Sequence, residues 1–252
     1  MKVIMLGSGT SVGVPVIGCT CHICTSTNPK NKRFRSSVYI EVSHHSFIID
    51  TTPDFRLQCL HNNISNVDAV LYTHTHTDHI NGIDELRVIN ILHKKSIPMY
   101  ATKETLMEIR KRFEYIFAAN PKSWVPQLIE NELKHENEIF GEKIFALDIE
   151  HADDIITAFR IRDFAYITDA SGIPERSIPF LRNLDVLIIN AVMEKPLRKH
   201  FSLQQALDQI EVLKPRRAYL THMSHQFDFD ELSKRLPHNV FVGYDGLSIQ
   251  IN

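Results

Sequence analysis

The sequence predicts a mixed α/β protein, and three observations carry that reading. Short apolar runs rich in β-branched residues recur along the 252 residues, each bounded by Gly, Pro, Asn or Asp. Segments with apolar residues at helical spacing lie between several of these runs. No Gly/Ser-rich or Pro-rich linker divides the chain, so residues 1–252 read as one domain.

The first run, Lys2–Leu6, leads into an irregular stretch rich in Gly and Thr. Ser37–Val42 and Ser46–Asp50 form a strand pair with His44-His45 at the hairpin tip. Pro53–Asn62 opens with proline at a first helical position. Ala69–Thr73 is the next strand. Asp78–His93 then places Ile80, Ile83, Leu86, Ile89, Ile91 and Leu92 near a 3.6-residue period, a helix with a core-facing stripe. Lys103–Phe117 and Pro174–Leu184 carry similar helical patterns. Ile155–Ile161, Ala165–Thr168, Val186–Asn190 and Ala218–Thr221 read as strands. Ser202–Leu213 has a serine cap and stops before Pro215. Asp228–Leu236 is the last helix, and Val240–Val242 and Leu247–Ile251 close the chain as strands. Residues 118–150 are the least patterned stretch.

Composition removes several function classes. A 43% hydrophobic, 23% charged chain is neither disordered nor fibrous. No run approaches the ~20 apolar residues of a membrane span. Twenty-eight basic against 30 acidic side chains leave no basic footprint for a nucleic-acid polymer. Gly7 and Gly9 break the opening too soon for a secretory signal, so a cytoplasmic location is expected. Three of the four cysteines sit within six residues, which points to a metal in a reducing compartment. Fourteen histidines are the count that stands out.

The strongest local signal is Leu71-Tyr72-Thr73-His74-Thr75-His76-Thr77-Asp78-His79. An apolar strand runs into four ligand-type side chains. In extended backbone His74 and His76 point the same way. Asp78 and His79 fall in the first turn of the next helix and face the same pocket from another side. Nitrogen and oxygen donors of this kind suit Zn²⁺, Mn²⁺ or Fe²⁺. His151, Asp169 and His222 also end apolar runs, and an open sheet builds a site from such ends. Singly, each is more often a polar strand end than a ligand. Asp50 has the same position, as a residue expected behind the ligands.

Cys19-x-Cys21-x-x-Cys24 offers three soft ligands in an irregular loop, which suits structural zinc. A thioredoxin-like setting for a redox pair is missing. His22 is hemmed between two of the cysteines, so spacing alone leaves the fourth ligand open. Cys59 reads as core. His44, His45, His61, His93, His135 and His238 read as surface or capping residues. Trp124, the sole tryptophan, reads as packed.

The histidine motif with later His151, Asp169 and His222 resembles the metallo-β-lactamase superfamily. A narrower resemblance is to the phosphoribosyl cyclic phosphate phosphodiesterases of bacterial carbon–phosphorus lyase pathways. It is carried by Gly18-Cys19-Thr20-Cys21-His22-Ile23-Cys24, Thr168-Asp169-Ala170-Ser171-Gly172-Ile173-Pro174-Glu175, Leu220-Thr221-His222-Met223-Ser224-His225-Gln226-Phe227-Asp228 and Val242-Gly243-Tyr244-Asp245-Gly246. The loop Gly7-Ser8-Gly9-Thr10-Ser11 is similar to the first-strand loop of that branch.

The resemblance implies a four-layer αββα sandwich over the whole chain with two divalent metals, Mn²⁺, Zn²⁺ or Fe²⁺, at one edge. His74, His76 and His151 would hold the first, Asp78, His79 and His222 the second, and Asp169 would bridge them. His225 would complete a structural Zn²⁺ site with Cys19, Cys21 and Cys24. The implied activity is hydrolysis of a small cyclic phosphate or related phosphodiester by a metal-bridged hydroxide, with Asp78 orienting it. His200, in Lys199-His200-Phe201-Ser202, is the implied general acid, with Arg198 and Lys199 placed to attract phosphate. Relatives tend to carry an acid where this chain has Asn190, so electrostatic support for His200 is expected to be weaker here. Rival readings are a glyoxalase II-type thioester hydrolase and a metal-stabilised binding module. The slight negative charge and lack of a basic arm argue against the tRNA-processing endonucleases of the fold. A symmetric homodimer is compatible with the sequence.

Overall fold

Side chains that alternate between two apolar environments build two sheets stacked face to face. The computed structural model describes residues 1–119 and 124–251. Residues 120–123, within the weakly patterned stretch, lie outside the described residues.

β1 (Lys2–Gly7), β2 (Ser37–Val42) and β3 (His45–Ile49) begin the first sheet. α1 (Phe55–His61) leads to β4 (Ala69–Leu71). α2 (Thr77–Ile80), a 3₁₀ turn (Ile83–Glu85) and α3 (Leu86–His93) lead to β5 (Ile97–Ala101), and α4 (Lys103–Arg112) leads to β6 (Leu128–Glu132). The second sheet starts with β7 (Glu136–Ile139), β8 (Glu142–His151), β9 (Asp154–Ile161) and β10 (Phe164–Ile167). β11 (Val186–Asn190), α5 (Leu203–Leu213), β12 (Arg217–Thr221), α6 (Phe229–Arg235) and β13 (Val240–Val242) complete it. β14 (Ser248–Gln250) returns to the first sheet. The orders are β14-β1-β2-β3-β4-β5-β6 and β13-β12-β11-β10-β9-β8-β7.

Period-two alternation divides each strand between layers. In β1, Val3 and Met5 join the core between the sheets, whereas Ile4 and Leu6 face the outer helices. In β11, Val186 and Ile188 face the other sheet, and Leu187 and Ile189 pack under α5 and α6. The result is the αββα sandwich. Burying one such side chain contributes roughly 1.5–3 kcal/mol. Among the described residues no helix is long and apolar enough to cross a membrane.

Several expectations need correction. The hairpin tip is Ser43-His44, both at positive φ (46° and 68°), and His45 already belongs to β3. The helix expected over 78–93 is broken at Gly82, whose amide bonds Thr51 O at 2.9 Å. A Cβ on Gly82 would lie 2.0 Å from Thr52 O, so the chain touches that backbone there and cannot coil on. Its stripe is also only partly core, since Ile91 and Leu92 are exposed. Lys103–Phe117 ends as a helix at Arg112. Pro174–Leu184 forms only a 3₁₀ turn at Ile178–Leu181. β5, β6 and β7 have no counterpart among the expected strands. Pro98 breaks the apolar pattern of β5, and β6 and β7 carry alternate acidic residues because they are edge strands.

β3, β4, β10, β11 and β12 each have a parallel neighbour, and their C-terminal ends converge on one edge of the sandwich. Three residues just beyond these ends, Asp50, Asp169 and His222, adopt left-handed backbone with φ of 65°, 57° and 53°. That sharp exit turns each side chain inward over the sheet edge.

Candidate metal centre

Asp169 organises the edge. It follows β10 and is buried, with its carboxylate oxygens near three imidazoles. Oδ2 lies 3.1 Å from His79 Nε2, and Oδ1 lies 3.3 Å from His222 Nε2 and 3.5 Å from His200 Nδ1. Asp78 Oδ2 lies 3.2 Å from the same His79 nitrogen. His74 Nε2 and His76 Nδ1 are 2.9 Å apart, so the two histidines do face one another as alternation requires. His151 ends β8, and its ring lies edge-on to His76 and to His200, with centres 5.1 Å and 5.0 Å away. All seven residues expected as catalytic-metal ligands therefore meet at one place, with His200 among them.

The surroundings fix which nitrogen of each ring faces inward. Asp50 Oδ2 accepts the Nδ1–H of His79 at 2.7 Å. The same oxygen accepts the hydroxyl of Thr73 at 2.8 Å, so that hydroxyl in turn accepts Nδ1–H of His74 at 2.9 Å. His151 donates Nδ1–H to the carbonyl of Asp169 at 2.6 Å. In each case Nε2 is left with its lone pair toward the centre, the arrangement metal-binding histidines show.

Four buried ring nitrogens around the centre have no ordinary partner. Nε2 of His79 and His151, and Nδ1 of His200 and His222, are buried without a hydrogen bond. For His79 the contacts to Asp78 and Asp169 are short but lack hydrogen-bond geometry. Lone pairs and carboxylates crowded this way repel unless positive charge sits among them. The protonation preferences say the same. Burial alone would push His79 down, but Asp169, Asp50 and Asp78 hold it well above the ordinary histidine range. Burial alone would raise Asp169, but His222 and His79 hold it well below the usual carboxylate range. Unpartnered nitrogens, buried carboxylates and fixed tautomers together fit divalent metal.

His200 is one-fifth exposed. Burial, with repulsion from His222 and His151, outweighs Asp169 and brings it down to about 4. Asn190 does not face His200 as a missing acid would. Its amide is buried and bonds both backbone groups of Ala170. Arg198 pairs instead with Asp153 at 2.5 Å, both well exposed. A cleft of about 500 Å³ opens beside the centre, lined by Thr75, His76, Thr102, Glu108, His151 and Ile156 among others.

The cysteine loop forms a second cluster. Nδ1 of His225 lies 3.3 Å from Cys19 Sγ, 3.5 Å from Cys21 Sγ and 3.4 Å from Cys24 Sγ. A tetrahedron with zinc bond lengths has S···N edges of about 3.5 Å. Amides of Val16 and Cys24 point at Cys24 Sγ and Cys21 Sγ (3.3 and 3.4 Å). The Cys24 amide is the main reason Cys21 is lowered to about 6. The donor set thus fits a bound metal ion.

Buried Arg33, which sequence reasoning missed, reinforces this junction. It donates to Ser224 O at 3.2 Å and Phe227 O at 2.7 Å, clamping the cysteine loop to the segment after His222. Thr73 was missed as well. Neither has a local signature, because both bond backbone or side chains set by the fold. Trp124 corrects an expectation of packing: it is 60% exposed, with Arg87 5.7 Å from its ring centre.

Comparison with known proteins identifies the fold family. Residues 45–223 match the model of the β-lactamase superfamily domain. A curated protein from Porphyromonas gingivalis, called octanoyltransferase, is 35% identical over all of this chain. The chain spans only 52% of that relative's length, so almost half of the relative lies outside the match. The crystal structure of a diphosphatase of the PhnP family superposes with a TM-score of 0.92 at 36% identity, covering 98% of this chain and 96% of that one. Zinc-bound PqqB from Methylobacterium extorquens superposes with a TM-score of 0.80 at 18% identity over the full length of both chains, a likeness of fold.

Proposed function

The chain belongs to the metallo-β-lactamase superfamily, and from that premise we propose that it is a metal-dependent hydrolase of small phosphodiesters, cyclic phosphates among them. The observation that carries the reading is the buried Asp169 carboxylate within 3.5 Å of three imidazole nitrogens, two of them without any hydrogen bond. The likeness to a diphosphatase supports phosphorus as the reacting atom.

His74, His76 and His151 would hold one ion, and Asp78, His79 and His222 the other, with Asp169 reaching both. Mn²⁺ and Zn²⁺ both suit this donor set. Bound there, the pair supplies a nucleophile at neutral pH and neutralises phosphate charge. Asp50 and Thr73 keep the histidine lone pairs aimed inward throughout. Asp78, anionic and beside the centre, orients the attacking oxygen. His200 stands over the opposite side of Asp169 and hands a proton to the departing alkoxide. A phosphodiester anion beside it would favour the protonated imidazolium that burial disfavours. The 500 Å³ cleft admits a small substrate.

The test is hydrolysis of bis(p-nitrophenyl) phosphate by protein reconstituted with Mn²⁺, with an Asp169→Ala control and metal analysis. Turnover lost in the control, with about two labile ions and one retained zinc per chain, is the expected result. Cyclic ribose phosphates, cyclic nucleotides and diphosphate esters then rank the substrates. A filled centre with no turnover of any of them would move the assignment to thioester hydrolysis.

A further inference from the structure

Asp169, His151 and His200 reach the centre from three segments, and one backbone turn joins them. The carbonyl of Asp169 accepts His151 Nδ1–H at 2.6 Å. The carbonyl of Ala170, the next residue, accepts the amide of Phe201 at 2.7 Å, immediately after His200. This turn begins from left-handed backbone at Asp169, a conformation that a non-glycine residue keeps only when its surroundings fix it.

One side chain grips the turn from outside it. Asn190, fully buried at the end of β11, accepts the amide of Ala170 at 2.8 Å on Oδ1 and donates Nδ2–H to the carbonyl of Ala170 at 3.0 Å. Two residues on, Val192 donates its amide to Phe201 O at 3.0 Å, so the strand end holds both sides of the junction. Asn190 also sits opposite Thr221 in the sheet, the residue before His222.

We infer that Asn190 is a positioning residue: its amide sets the spacing between Asp169 and His200 by locking the Ala170 turn. The pair of bonds needs a side chain that both donates and accepts. Asparagine carries a donor and an acceptor, aspartate has acceptors alone, and leucine of similar bulk has neither. Asn190→Asp keeps the bond from Ala170 N–H and turns the other into an acceptor–acceptor contact. Asn190→Leu loses both. The inference rests on the phosphodiesterase reading only for its kinetic arm.

Both variants are made alone and with His200→Ala, as full-length protein. Kinetics use the Mn²⁺-loaded forms and bis(p-nitrophenyl) phosphate. Visible spectra use Co²⁺-loaded forms, whose d–d bands report ligand geometry whatever the substrate. The expected result is a kcat about 10–100-fold lower for Asn190→Leu with KM within about threefold, and an intermediate loss for Asn190→Asp. With His200→Ala the further loss shrinks to about twofold or less, because the two residues act as one unit. The Co²⁺ spectrum shifts in both variants. An unchanged spectrum, or an equal fold-loss in both backgrounds, would overturn the inference and leave Asn190 as fold support. If Asn190→Leu fails to fold by circular dichroism, the same criteria are read on Asn190→Asp. If no phosphodiester is turned over at all, the phosphodiesterase reading fails and the spectrum decides for Asn190 alone.

Discussion

Asp50 governs two histidines with one carboxylate, directly at His79 and through Thr73 at His74. An amide in its place could still accept one bond but would lose the charge that pins both tautomers. Asp50→Asn is expected to weaken divalent-metal affinity about 10–100-fold, read by competition with a chromophoric chelator. Secondary structure should be retained by circular dichroism. At the other end of β3, Asp68 has a purely structural task. It accepts the amide and hydroxyl of Ser46, both at 2.8 Å, and pairs with Lys95. Burial alone would raise it, but Lys95 and Ser46 lower it to about 2. An acid depressed in the folded state binds protons more readily when unfolded. Its contribution is therefore whole above about pH 4 and is lost toward about pH 2. Asp68→Asn should cost about 1 kcal/mol at pH 7, after solvent screening, and almost nothing at pH 2. Urea unfolding at both pH values checks the difference, and an equal loss at both would remove the charge from the account. The proposed ligands His74, His76, Asp78 and His79 were legible because they crowd one strand end. Thr73 and Arg33 were not, since a hydroxyl or guanidinium gains its role only from partners brought by folding.

The strands that build the centre were the easiest elements to read. β2 and β11 match their expected limits, because both are buried apart from Glu41. Edge strands β6 and β7 lack that contrast and left no clear pattern. The turn at Ile178–Leu181 looked like a longer helix because its apolar residues pack under the second sheet without needing regular coiling. α5 was legible from its cap. Ser202 Oγ accepts the amide of Gln205, and Gln205 Oε1 accepts the amide of Ser202 at 2.9 Å, a reciprocal box. Ser202→Ala should destabilise the protein by about 1 kcal/mol with an unchanged denaturant slope. His200 lies just ahead of this cap, so a lower kcat in the same variant would show that helix start and site are coupled.

At the scale of the molecule, the cysteine cluster joins the loop after β1 to the segment after β12, chain positions about 200 residues apart. Local spacing showed three of its ligands, and only the fold could bring His225 to them. Cys24→Ser should remove one zinc per chain and lower the melting temperature by at least about 5 °C. Unchanged zinc content and melting point would show four side chains that meet without an ion. The left-handed exits at Asp50, Asp169 and His222 carry a different consequence, one for descent rather than stability. Outside glycine, that backbone is adopted most readily by Asn, Asp and His, and β-branched residues resist it. Selection for ligand chemistry and selection for main-chain geometry therefore draw on the same small alphabet at these positions. A lineage that lost the proposed metal binding would still find these sites hard to overwrite, and the centre would outlast its own use as a fossil in the sequence.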